Sequence, residues 1–266
     1  MAFKLGDIVI DRIAEAIITD FDDNFKGVLT QLADATLETS AESKDAVDKN
    51  GTLVKRFWTA KTGTFSATNA MFNASILALQ SGTDVLSAST TDPIIMPRSI
   101  VVKNTGGTSG TTVQLPNVVA GTVHVAVLGT NGSVGEEFEI KTAASATEAG
   151  LGGTTLALPL ISAEDAPQFI VNFKRTVTSG SKIVNSAEKF PSTVRMYLKV
   201  LAVDPCEADT LKAAYIYLPS FQPSPETSIS LTTDGQLEFT GDLQVDYCST
   251  DKVLFEFYWA DDDEEE

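Results

Sequence analysis

The sequence predicts a mainly β protein: a sandwich or barrel with long hairpins and one or two short helices, plus an inserted or accessory small β domain. Three observations carry that expectation. From Gln236 to Tyr247 the side chains sort by parity, with Leu237, Phe239, Leu243, Val245 and Tyr247 apolar and Glu238, Thr240, Asp242, Gln244 and Asp246 polar. Period two marks a strand with one face in a core and one in water, and this stretch would span roughly 40 Å. The pattern resumes with Val253, Phe255, Phe257 and Trp259. Between them and the N-terminal third, short apolar runs alternate with Gly/Ser/Thr-rich connections, the cadence of a small sandwich or barrel.

Taken in order, residues 7–19 place Val9, Ile13 and Ile17 at helical spacing behind Asp7 as N-cap, which predicts a helix; Ile8, Ile10 and Ile18 leave a strand at 7–13 open. A polar turn follows at Asp20–Phe25. Residues 28–40 read as one extended strand, residues 41–51 as a polar loop ending in Asn50-Gly51, and residues 53–65 as the return strand through Phe57, Trp58 and Phe65. Asn-Gly is a strong hairpin signal. Ser66 or Thr68 would cap a helix over 68–81, with Gly82 as its stop.

From 83 to 190, strands are expected at Ile100–Val102, Val113–Leu115, Thr122–Leu128, Leu156–Ile161 and Phe169–Phe173. Later strands are expected at 193–203, 211–218, 227–232, 236–247 and 252–259, with Asp234-Gly235 closing a tight hairpin. Gly241 marks a candidate bulge that would flip the parity after it. The implied organisation is a first part of the core at 1–91, an accessory β domain at 92–190, a second part of the core at 191–260, and a solvated, disordered acidic tail at 261–266.

The chain of 266 residues is 43% hydrophobic and 21% charged, enough to bury a sizeable core. Its net charge of −17 is uneven. Residues 191–266 carry 4 basic and 16 acidic groups, against 7 and 8 in residues 92–190 and 8 and 12 in residues 1–91. That balance argues against binding nucleic acid through phosphates, which needs Lys and Arg at the contact. No apolar run reaches the roughly 18 residues of a membrane span. The first residues lack a signal-peptide block, so synthesis in a cytoplasm is expected. Cys206 and Cys248 give no disulfide framework and read as reduced thiols, with a bridge left open.

Motifs for catalysis fall short. His124 is the only histidine and sits in a strand pattern, without the partners that metal and triad sites need. Asp20–Asn24 begins like a calcium loop but has Phe25 and Gln31 at the turn and last-ligand positions. Asn131 stands where a nucleophile elbow around Ser133 needs glycine. Gly150-Leu-Gly152-Gly153 lacks a third dinucleotide-loop glycine, and no phosphate loop occurs. No catalytic, cofactor or metal site is expected, although acids on strand faces leave glycoside hydrolysis open.

The stretch Leu29-Thr-Gln-Leu-Ala-Asp-Ala-Thr-Leu-Glu-Thr-Ser-Ala-Glu-Ser-Lys-Asp-Ala-Val-Asp-Lys-Asn-Gly-Thr-Leu-Val, followed by Ala60-Lys-Thr-Gly-Thr-Phe-Ser-Ala-Thr-Asn-Ala, resembles the long hairpin, exposed loop and following helix of tailed-bacteriophage tail tube proteins. Val194–Val203, Ala213–Leu218 and Leu237–Trp259 resemble the remaining sheet. The resemblance implies a virion structural protein of the tail. Its subunits would form rings, commonly hexameric, stacked into a hollow tube for viral DNA, with other tail proteins as partners, no cofactor and no membrane.

Within that frame parity assigns Asp34, Glu38, Glu238, Asp242 and Asp246 to an acidic lumen face, with Leu29, Ala33, Ala35 and Leu37 turned inward on the first strand. The loop bearing Glu42, Lys44, Asp45, Asp48 and Lys49 would be disordered in the free subunit and order against the next ring. An acidic bore would repel phosphates weakly and evenly; at a Debye length of about 8 Å this is lubrication rather than propulsion. Another virion role (connector, baseplate, decoration) or a carbohydrate-binding sandwich are the alternatives. The latter would need exposed aromatics, and Trp58, Tyr215, Tyr217 and Trp259 lie within strand patterns.

Overall fold

The computed structural model describes residues 8–106, 110–203, 211–231, 236–247 and 250–264, the last five as backbone only. The chain divides into two compact units, Met1–Val85 with Ile183–Glu266, and Leu86–Lys182. It is mainly β, as expected, with a nearly closed barrel-like sheet.

The first unit contains β1 (Val9–Thr19), β2 (Phe25–Leu29), β3 (Leu32–Val47), β4 (Leu53–Asn69) and the helix α1 (Ala74–Gln80). In the second unit lie β5 (Leu86–Ser87), β6 (Ile94–Lys103), β7 (Thr112–Gln114), β8 (His124–Leu128), β9 (Val134–Lys141), β10 (Glu148–Gly152), β11 (Thr155–Ala157), β12 (Gln168–Val177) and β13 (Ser181–Lys182). The chain then returns to the first unit for β14 (Val194–Val203), β15 (Leu211–Pro223), β16 (Leu237–Leu243) and β17 (Glu256–Glu264).

The large sheet runs β2-β1-β14-β15-β16-β4-β3, with β17 also paired to β15. Its core is a triangle of rings: Phe65 lies 6.1 Å from Phe221 and 6.4 Å from Phe239, and Phe221 lies 5.6 Å from Phe239. Around it pack Ile18, Leu29, Met196, Leu198, Leu218 and Leu237. The second unit has its own core of Leu115, Val125, Leu156, Leu158, Phe169 and Val171, within a sheet ordered β6-β12-β8-β9-β10-β11-β7.

Residues 9–19 are a strand, not a helix. Register slips between Ile10 and Arg12 and between Ile13 and Glu15, against β14, insert Asp11 and Ala14 as extra residues. Two bulges three residues apart break the period of two and imitate helical spacing, while the run of isoleucines suits a paired strand. The helix expected over 68–81 is shorter, because β4 continues through Asn69. Its N-cap is Asn73, whose Oδ1 accepts from the N–H groups of Ser75 (2.9 Å) and Ile76 (3.3 Å); Gly82 follows its last residues as expected.

The strand expected over 28–40 is broken at Thr30–Gln31, and residues 41–47, expected as loop, extend β3. Backbone pairing with β4 supplies this ladder without apolar side chains, and opposite charges meet across it at Asp45 and Arg56. β9 and β10 lie where no strand was expected. The strand expected at 227–232 is reduced, among described residues, to one bridge between Ile229 and Leu237, and β16 stops at Leu243. The acidic end is not a free tail as far as Glu264, since Lys212 of β15 pairs with that residue. Asp234-Gly235, Cys206 and Cys248 lie outside the described residues.

Gly241 does not flip the parity. β16 keeps one register with β4 from Leu237 to Leu243, burying Leu237, Phe239 and Leu243 while Glu238 and Asp242 stay exposed. A Cβ at Gly241 would stand 2.4 Å from the Gln222 carbonyl oxygen and 2.4 Å from the Phe221 ring. Gly241→Ala should therefore destabilise the first unit by about 1–3 kcal/mol, seen as a lower thermal midpoint. A melting curve unchanged from the parent would contradict this packing.

Candidate functional site

The candidate site is the outer face of β3, β4 and β16, opposite the phenylalanine core. Residues directly paired across a sheet share a face. The register aligns Glu38 with Thr64 and Thr64 with Asp242. The neighbouring rows join Thr36, Ser66 and Thr240 on one side, and Ser40 with Thr62 on the other. The Ser40 and Thr62 hydroxyls hydrogen-bond at 2.8 Å, and Glu238 pairs with Thr68 at the far end. The result is a sheet face of hydroxyls and carboxylates, with Glu38, Glu238 and Asp242 all exposed. It is built because core residues Leu37, Phe65, Phe239 and Leu243 occupy the alternate positions.

Three of the five acids assigned to one face thus come together. The other two do not join the rows. Asp34 sits where the register slips between Ala33 and Thr36, in a left-handed conformation with φ 49°. An aspartate tolerates this conformation better than a branched residue. The bulge leaves Ala33 exposed, against its expected inward position, while Ala35 and Leu37 pack against the core. Asp246 lies beyond the end of β16.

The expected loop is instead an arm. Glu42, Lys44 and Asp45 lie on β3, and only Asp48 and Lys49 belong to the tip. The Arg56 guanidinium donates to both Asp45 carboxylate oxygens, at 2.7 and 2.9 Å. This holds the Asp45 carboxyl below its ordinary range and raises Arg56. At the tip the Asn50 and Thr52 N–H groups each donate to Asp48 Oδ1 at 2.8 Å. Gly51, at φ 82°, makes the turn that glycine permits. Every residue from 41 to 62 is exposed.

The aromatics split into two groups. Tyr197 and Tyr217 stack at 4.7 Å on the outer face of β14 and β15; burial, then the neighbouring Tyr197, pushes the Tyr217 hydroxyl up to about 12. Trp58 lies on the arm, 65% exposed. Period-two patterning placed these residues on strands but did not reveal which strand ran past the core. His124, at the start of β8, meets Glu137 at 2.6 Å on an exposed face. Among the described residues no cluster of three or more His, Cys, Asp or Glu could hold a metal ion. No described helix is long and apolar enough to cross a membrane.

Among the described residues the arrangement is a wall and an arm. The model of the YomU/Tube protein family matches residues 8–253. The chain belongs to the YomU/Tube protein family. This is a phage tail tube family, so the resemblance carried by the first hairpin is met across nearly the whole chain. Membership implies a component of the virion tail and is consistent with a structural rather than enzymatic role. No curated protein matches the chain at a significant level.

The Asp48 carboxyl is held below its ordinary range by the backbone N–H groups of Thr52 and then Asn50. A depressed carboxylate stabilises the fold above the unfolded value of about 3.9 and loses that contribution as pH falls through its folded value. Amide exchange at Asn50 and Thr52, corrected for intrinsic rate, should stay protected above about pH 5 and lose protection in acid below the unfolded value. Asp48→Asn should flatten that dependence. Equal protection across the whole range would show that the carboxylate does not hold the tip.

Proposed function

We propose that this protein self-assembles into rings, hexameric in the simplest case, whose stacking forms the tail tube through which viral DNA passes. The observation that supports the reading is the Glu38–Thr64–Asp242 row and its hydroxyl-rich neighbours. DNA carries one charge per about 1.7 Å of helix axis. A wall that bears acids and hydroxyls but no cation in those rows gives phosphates nothing to grip. Glu38, Glu238 and Asp242 are assigned to the bore; Asp34 and Asp246 flank it. The partners are further copies of the chain, other tail proteins, and DNA that passes without specific binding.

The arm fits the same reading. A two-stranded ribbon is marginal in water by itself, so one exposed along its length is stabilised by what it meets. Glu42, Lys44, Asp45, Asp48 and Lys49 sit on its outer reach and are assigned to the contact with the next ring.

Concentrated protein should appear as rings or tubes by negative-stain microscopy; a monomer at every concentration and salt would sink the proposal. Changing Glu38, Glu238 and Asp242 together to Lys should leave assembly intact and slow or stall DNA passage, because the new cations bind phosphate. Virions carrying all three lysines that eject DNA at the parental rate would remove these residues from the bore.

A further inference from the structure

The strands that do not build the hydroxyl–carboxylate face present a second exterior. Register aligns Ile17, Tyr197, Tyr217 and Glu256 across β1, β14, β15 and β17. The adjacent row is Glu15, Lys199, Tyr215 and Tyr258. The Tyr258 hydroxyl hydrogen-bonds Glu256, and the Tyr258 side of this face is half exposed, at 51%. Val28 of β2 extends the first row beyond Ile17. Rows of tyrosines edged by charge are the composition of a protein contact rather than of a solvated face.

The arm is the other unpartnered apolar surface. Against β3 its register slips between Ala41 and Ser43, so that Thr59 and Ala60 together oppose Glu42. This bulge turns Trp58 to the same side as Lys61 and Arg56. The Arg56 guanidinium lies 5.8 Å from the centre of the Trp58 ring, and Val54 beyond it is 69% exposed. Ala41, Trp58, Thr59, Ala60 and Lys61 enclose a shallow depression of about 350 Å³, room for an aromatic ring.

Charge indicates what the arm meets. Residues 41–62 carry five cations and three acids, a net +2 in a chain of net −17. The acid of the chain is concentrated in residues 191–266, with 4 basic and 16 acidic groups. β17, which ends the tyrosine rows at Glu256 and Tyr258, continues through Asp261, Asp262, Asp263 and Glu264. It pairs only with β15 among the described residues. An apolar, basic ribbon and an aromatic, acid-edged sheet face on one molecule are complementary in a head-to-tail contact, and a head-to-tail contact propagates.

We propose that the Trp58 side of the arm seats on the Tyr197–Tyr217 and Tyr215–Tyr258 rows of a second copy, with Lys61 and Arg56 toward Glu256 and Glu15. An aromatic ring of the receiving copy enters the depression beside Trp58. The inference rests on the assembly reading above and names the receiving surface that reading leaves unspecified.

The test uses the full-length chain, with tube length read by negative-stain microscopy at low salt. Trp58→Ser should give soluble protein that does not elongate. Lys61→Glu and Glu256→Lys should each shorten tubes several-fold, and the two together should restore length, a reciprocity that misfolding does not produce. A photo-crosslinking amino acid at position 58 should attach to the peptides containing Tyr215–Tyr217 or Tyr258 of another copy. Wild-type tubes whose position-58 crosslinks fall elsewhere, or single charge variants that elongate normally, would overturn this contact while leaving the tube reading in place. A wild-type chain that never assembles would overturn both.

Discussion

The contact on which the functional face depends is the closure of β16 between β15 and β4, made by Phe65, Phe221 and Phe239 against the missing side chain of Gly241. Gly241 is paired to Phe65 on one side and Pro223 on the other. Because the Phe221 ring fills the space a Cβ would take, β16 can lie close enough to hold register with both neighbours. That register decides everything outside the core. It sets Asp242 beside Thr64 and Glu38, and it leaves β4 free of β16 beyond Gly63, so that the rest of the hairpin projects as an arm. Wall and arm are two consequences of one aromatic packing.

The same sheet divides its exterior by chemistry. Over β3, β4 and β16 it shows short hydroxyls and carboxylates, which hydrate well and adhere poorly. Over β1, β14, β15 and β17 it shows tyrosine rings edged by charge, which bury area at low entropic cost. The proposed tube subunit would need both surfaces, one to meet its copies and one to pass its cargo, and the alternation of each strand lets one core support them. The second unit has a separate core and adds a near-neutral module to an acidic chain.

Much of the architecture was legible in the sequence because period two is a direct print of the pleat. Leu237, Phe239 and Leu243 against Glu238 and Asp242 read correctly, as did the hairpin at Asn50-Gly51 and the strands around Phe169 and Val200. One cause of misreading is backbone irregularity. Bulges at Asp11 and Ala14 gave β1 a helical signature, and the bulge at Asp34 withdrew one acid from the face. The arm was missed because exposed strands carry no hydrophobic period; charged residues 42–48 look like loop whether or not their backbone pairs. The grouping of Glu38 with Asp242 needed the register across β4, which no local pattern contains.

The central claim is that the hydroxyl–carboxylate face of β3, β4 and β16 lines the bore. Electron cryomicroscopy of the assembled protein tests it most directly, at a resolution that resolves strands. The account predicts Glu38, Glu238 and Asp242 on the inner wall, repeated in every subunit, with the tyrosine rows of β14 and β15 buried between copies. Those three acids on the outer surface of the tube, or buried in a contact between subunits, would contradict it.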